Sequence, residues 1–120
     1  MLSLSKVKLL SQNIWYQLWK HPECQFKSDL VNVGGEAERA YLAVEDMFQE
    51  CPFCEFDLNI SNEIYGNSYK NYEPCSHCPL HDKVNFCCDG VYQKWAYEDD
   101  PVQRSLYAKR IYEMICKVTI

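Results

Sequence analysis

Apolar residues recur at helical spacing in several stretches of the chain, and most of these stretches carry their own start or stop signal. Leu4, Val7, Leu10, Ile14, Trp15 and Leu18 define an amphipathic helix over residues 4–19, with Ser3 or Ser5 as its cap. His21-Pro22 stops it, because proline disfavours helical geometry in the residue before it. Residues 23–35 read as a loop ending in Gly34-Gly35. Ala37, Ala40, Tyr41, Val44, Met47 and Phe48 restore the spacing and predict a second helix over 36–50. Glu36 and Glu38 suit its N-terminus, and Cys51 continues its apolar face at the far end.

The pattern then changes. Residues 55–60, EFDLNI, alternate polar and apolar and predict a short strand, with room for a hairpin. Residues 61–74, SNEIYGNSYKNYEP, read as an exposed loop, and a cysteine-rich stretch fills 75–90. Val91 and Trp95 share one side of a short helix over 90–97. Asp100-Pro101 supplies a cap and a first-turn proline for a last helix running to about residue 118. That helix packs Tyr107, Ile111, Met114, Ile115 and Val118. The expected fold is mainly α, three to four helices around an irregular Cys-rich zinc-binding insert. It forms one domain over 1–120, with a helical scaffold at 1–50 and 90–120 and the insert at 51–90. Trp15, Trp19 and Trp95 are read as core aromatics rather than a binding platform.

Composition narrows the chemistry. The 120 residues suit one domain, 48% of them are apolar, and eight are cysteine. No signal peptide is visible, and no segment approaches the roughly 20 apolar residues of a membrane span. The expectation is a soluble cytoplasmic protein. In a reducing compartment clustered cysteines serve metal or redox chemistry more often than disulfides.

Cys51-x-x-Cys54 and Cys75-x-x-Cys78 stand 20 residues apart. A C-x-x-C turn presents two sulfurs to one ion, and two such turns complete the tetrahedral shell of a structural zinc with no open position. The site predicted is therefore Cys51, Cys54, Cys75 and Cys78, with Cys87 or Cys88 as replacement ligand. His77 and His81 read as solvent-facing, and Cys24 and Cys116 as ordinary thiols, the second semi-buried. The order of Cys51-Pro-Phe-Cys54-Glu55, Cys75-Ser-His-Cys78-Pro79-Leu80, Cys87-Cys88-Asp-Gly90 and Tyr92-Gln-Lys-Trp95 resembles a group of small uncharacterised phage-encoded cysteine-rich zinc-binding proteins, over about residues 47–95. The resemblance implies a phage origin, hence the host cytoplasm, and a zinc fold with five such cysteines; it implies no activity. The doubled cysteine departs from that pattern: the spacing to Tyr92 favours Cys87 and the spacing to Gly90 favours Cys88.

Two enzyme readings compete. Cys51-Pro-Phe-Cys54 matches a dithiol redox pair, but a redox pair opens a helix, whereas Cys51 is expected to close one. His21-Pro22-Glu23 with Pro74-Cys75-x-x-Cys78 matches the two halves of a zinc deaminase signature. Those halves lie 50 residues apart, and that reading leaves Cys51 and Cys54 unused. No phosphate-binding loop, nucleophile elbow or metalloprotease motif is present.

Charge suggests a binder instead. The net charge is −5, and residues 28–66 hold nine acids against Arg39 alone. The expected function is that of a non-enzymatic zinc-stabilised accessory protein that binds a basic or nucleic-acid-processing protein. The surface assigned is Glu38, Glu45 and Asp46 with Tyr65, Tyr69 and Tyr72, since tyrosine among Asn and Ser gives wide contact with few torsions to freeze. The alternative is a nucleic-acid-binding module using Lys6, Lys8, Lys20, Lys27, Arg104, Lys109, Arg110 and Lys117.

Overall fold

Six α-helices, and no strand, are found among the described residues of the computed structural model, which are 2–65, 78 and 90–119. Helix α1 spans Leu4–Lys20, α2 Leu30–Val33, α3 Gly35–Leu42, α4 Pro52–Tyr65, α5 Val91–Tyr97 and α6 Pro101–Cys116. Single 3₁₀ turns occupy Lys27–Asp29 and Phe48–Glu50.

Helix α1 is the hub. Ser3 caps it by accepting the Lys6 N–H at 3.2 Å, and Val7, Leu10, Ile14, Trp15 and Leu18 form its buried stripe. Helices α3, α4 and α6 all pack on it, and α5 packs on α6. Burying a side chain of this size stabilises by about 2 kcal/mol, so the stripe fixes the position of α1 against its neighbours. Trp15 meets Trp95 edge-on with ring centroids 4.9 Å apart, closing the core between α1 and α5. Helix α6 starts as the sequence predicts: Asp100 accepts the Gln103 N–H at 3.4 Å and Pro101 takes the first turn. It buries Ala108, Ile111 and Ile115, with Val118 beyond its end.

Three segments differ from the pattern-based expectation. The loop over 23–35 contains helical turns, because the Asp29 carboxylate accepts the Gln25 and Phe26 N–H groups at 3.0 Å each and Leu30 is fully buried. The helix expected over 36–50 stops at Leu42. Val44 and Met47 still reach the core, but turns deliver them, and Gln49 and Glu50 adopt left-handed backbone (φ 56° and 52°). The strand expected over 55–60 is the middle of α4, which also takes in residues 61–65 of the expected loop. Phe53, Phe56 and Ile60 recur three and four apart, and Pro52 occupies the first turn, so helical period overrides the short alternation. Residues 66–74 of that loop lie outside the described residues. Phe53 is fully buried and α4 packs on α1, so residues 52–65, assigned to the insert by sequence, belong to the helical body.

Two cations read as surface charge are buried. The Arg104 guanidinium donates to the Pro22 carbonyl from Nε (3.2 Å) and Nη2 (2.6 Å), and to the Glu98 carbonyl from Nη1 (2.9 Å). It thereby ties the end of α1 to the α5–α6 connection. Lys27, 5% exposed, donates from Nζ to the Gln49 and Glu50 carbonyls at 3.2 and 3.1 Å. Its ammonium lies 5.0 Å from the Tyr92 ring centroid and 5.7 Å from that of Trp15. Among the described residues no helix is long and apolar enough to cross a membrane.

Candidate metal turn and acidic face

Cys51 does not close a helix; it opens one. Its backbone is extended (φ −135°, ψ 113°), its carbonyl accepts the Glu55 N–H at 2.9 Å, and its Sγ accepts the Cys54 N–H at 3.4 Å. The thiol thus fills the N-cap role that serine or aspartate commonly plays. Glu55 in the first turn reaches back to accept the Phe48 N–H at 2.8 Å, fixing the chain just before the cap. Lys27 holds the two carbonyls between them, so three separate contacts set the CPFC turn. A helix N-terminus favours the thiolate over the thiol, which is the form that binds metal and attacks disulfides. The objection to redox chemistry that rested on Cys51 ending a helix is therefore withdrawn.

Both Cys51 and Cys54 are half-buried, and Cys78 is buried against the core. Among the described residues no three His, Cys, Asp or Glu side chains converge as a metal-binding group. Cys75, Cys87 and Cys88, with His77 and His81, lie outside the described residues, so the full ligand set predicted from sequence does too. His21 Nδ1 and Glu23 Oε1 lie 3.3 Å apart at the exit of α1, where the deaminase signature would begin. They share a hollow with Cys24 and Asp29 and meet no third ligand among the described residues. Cys24 is buried, and Cys116, expected to be semi-buried, is exposed.

Glu36, Glu45 and Asp46 are exposed and Glu38 is half-buried. The only ion pair among the described residues is His21–Glu23, so these four carboxylates face solvent without a cationic partner there. Glu50 is engaged, accepting the Tyr41 hydroxyl. Behind the acids, Leu2, Leu42, Ala43 and Met47 floor a hollow of about 460 Å³, and Asp46, Glu55 and Asn59 complete its lining. Sequence reasoning found the acids but not the hollow, because Leu2 and Asn59 come from distant stretches. Tyr65 is the last residue of α4; Tyr69 and Tyr72 lie outside the described residues.

The same region carries a pH dependence. The hydrogen bond to Glu50 raises the Tyr41 pKa from 10.0 to about 12, helped by burial and by the charges of Glu45 and Asp46. Burial, with Glu23 and Asp29 adding, raises the Cys24 thiol from 9.0 to about 11. Both folded-state values lie above the unfolded ones. The stabilisation is therefore complete below the unfolded values and is lost as pH rises through the folded values, across about 9–11 for Cys24 and 10–12 for Tyr41. Urea midpoints are expected to fall steeply above about pH 9. The double variant Cys24→Ala, Tyr41→Phe should flatten that fall, and an unchanged slope would reject the assignment.

Comparison of the chain with family profiles, with curated proteins and with solved structures gave no match. The described residues form a small, mainly helical body that presents a cysteine-capped helix start beside exposed carboxylates.

Proposed function

We propose that the protein is a non-enzymatic accessory protein that captures a Lys- or Arg-rich segment of a partner protein on its acidic face, with zinc at the CPFC turn as a structural clamp. The observation that carries this reading is the hollow between the end of α3 and α4. Its apolar floor of Leu2, Leu42, Ala43 and Met47 suits the aliphatic stem of a lysine or arginine, while Asp46 and Glu55 suit the charged head. Glu36, Glu38 and Glu45 extend the negative field beyond the hollow and would speed encounter with a basic partner. A nucleic-acid-processing enzyme has a surface of that sign. The CPFC turn supports the zinc half of the reading, since two half-buried sulfurs at one helix start form half of a tetrahedral shell.

The test is a comparative pull-down with the wild type and the Glu38→Lys, Glu45→Lys, Asp46→Lys triple variant. The reversed residues are solvent-facing or half-buried, so the variant should fold. Basic proteins held by the wild type are expected to be lost from the variant. Retention of the same set by both would remove the acidic face from the function.

A further inference from the structure

Helices α1 and α6 bring together three aromatic rings and two ammonium groups. The Trp19 centroid lies 5.9 Å from those of Tyr16 and Tyr112, which are 5.9 Å from each other. Lys20 Nζ sits 4.0 Å from the Trp19 centroid and Lys109 Nζ 5.5 Å from it. Trp19 and Tyr112 pack against the edge of the core but are only half-buried, and Tyr16 is exposed, so the cluster reaches the surface. Two of the rings, Tyr16 and Tyr112, also line a groove of about 550 Å³ between α1, α3 and α6, while Trp19 and the two lysines adjoin it from outside its lining. Gln12, Asn13, Gln17 and Arg39 supply much of its polar lining, and Glu36 is its one carboxylate.

We propose that this groove is a binding site for single-stranded nucleic acid. The donors and acceptors match its three parts. Aromatic faces stack unpaired bases without regard to sequence. The amides of Gln12, Asn13 and Gln17 can both donate to and accept from base edges. Lys20, Lys109 and Arg39 meet phosphates, and the two lysines, parked over Trp19 in the unbound protein, need only swing outward to free the ring face. A duplex hides its base faces, and an acidic peptide would leave both rings and amides unused, so charge complementarity and stacking select the single strand. The overall charge of −5 opposes a long electrostatic footprint, which confines the contact to a few phosphates. This site borders the acidic face, with Glu36 and Ala43 common to both, but Glu38, Glu45 and Asp46 lie outside the groove's lining, so the triple reversal there and the variants below test the two separately.

The experiment is fluorescence anisotropy with a labelled 12-nucleotide oligothymidylate at about 50 mM salt, repeated across salt concentrations. Three phosphate contacts predict saturable binding whose logarithmic salt slope is about −2. The Lys20→Glu, Lys109→Glu variant, altered only at ammonium groups, should bind at least about 10-fold more weakly. Trp19→Ala, checked by circular dichroism for an intact fold, should lose at least about 5-fold. The proposal is overturned if the wild type shows no saturable binding, if the charge-reversed variant binds as the wild type does, or if a hairpin duplex or an oligoglutamate peptide competes as well as the single strand.

Discussion

Replacing Lys27 with methionine is expected to lower the unfolding free energy by about 3 kcal/mol. The ammonium makes two charge-assisted hydrogen bonds, to the Gln49 and Glu50 carbonyls, inside a site where the side chain is 5% exposed. Each such bond contributes about 1.5–3 kcal/mol. Burying the cation offsets part of that sum, since it gives up its water for two carbonyls and two aromatic faces. Methionine keeps the packing against Trp15 and Tyr92 and removes only the donor. The two carbonyls then belong to consecutive left-handed residues that are neither glycine nor asparagine, a backbone costing about 1–2 kcal/mol per residue, with nothing to hold it. Urea denaturation of wild type and variant gives the number. A loss under about 1 kcal/mol, or a gain, would show that desolvation had cancelled the hydrogen bonds. Because the same contacts fix the chain ahead of Cys51, the variant should also weaken metal binding at the CPFC turn.

On the proposed zinc clamp, removing the metal should have a still larger effect. Structural zinc sites contribute on the order of 10 kcal/mol to the folding of the segments they close. We expect one zinc per chain, from native and denatured mass measured with and without chelator. The body built by α1, α3, α5 and α6 contains the Trp15–Trp95 contact and the buried Arg104, and none of the predicted ligands lies on those helices. Chelation should therefore leave that body folded and lower the helical signal by fraying the start of α4, whose cap is Cys51. Cys51→Ser with Cys54→Ser should reproduce the chelated state. Zinc-free protein with an undiminished helical signal would exclude the clamp. A Cys51–Cys54 disulfide in that protein would make thiol exchange the chemistry to assay, since the pair stands at a helix N-terminus.

What the sequence made readable was what short-range signals determine. Helices α1, α5 and α6 combine a 3.6-residue apolar period with adjacent caps, Ser3 and Asp100-Pro101 among them, and they appear where the pattern puts them. Helix α4 was hidden by three features. Its cap is a cysteine, its residues Phe56, Leu58 and Ile60 happen to alternate, and its buried side includes Asp57 and Ser61, which break the apolar stripe. The end of α3 was hidden for another reason. Residues 43–50 carry a helical pattern, yet Lys27 and Glu55 compete for their backbone groups from outside the segment. The acidic face was legible because carboxylates in excess stay in water. The burial of Lys27 and Arg104 was not, because each depends on carbonyls that other elements turn toward it. The aromatic groove joins Tyr16 to Tyr112, a pairing that only the packing of α1 on α6 creates.

That packing also orders events in time. Lys8 reaches the Val118 carbonyl at 2.9 Å, Ser105 holds the Trp19 carbonyl at 2.9 Å, and Arg104 holds Pro22. The first and last helices are each other's main partners, so nearly the whole intervening chain must be made before α1 is fully covered. During vectorial synthesis α3 and α4 can cover part of α1 first, and the side that α6 covers stays open to water or to a chaperone until α6 has emerged. A ribosome stalled before residue 101 would therefore carry α1 covered by α3 and α4 alone, with the side that α6 covers still sticky.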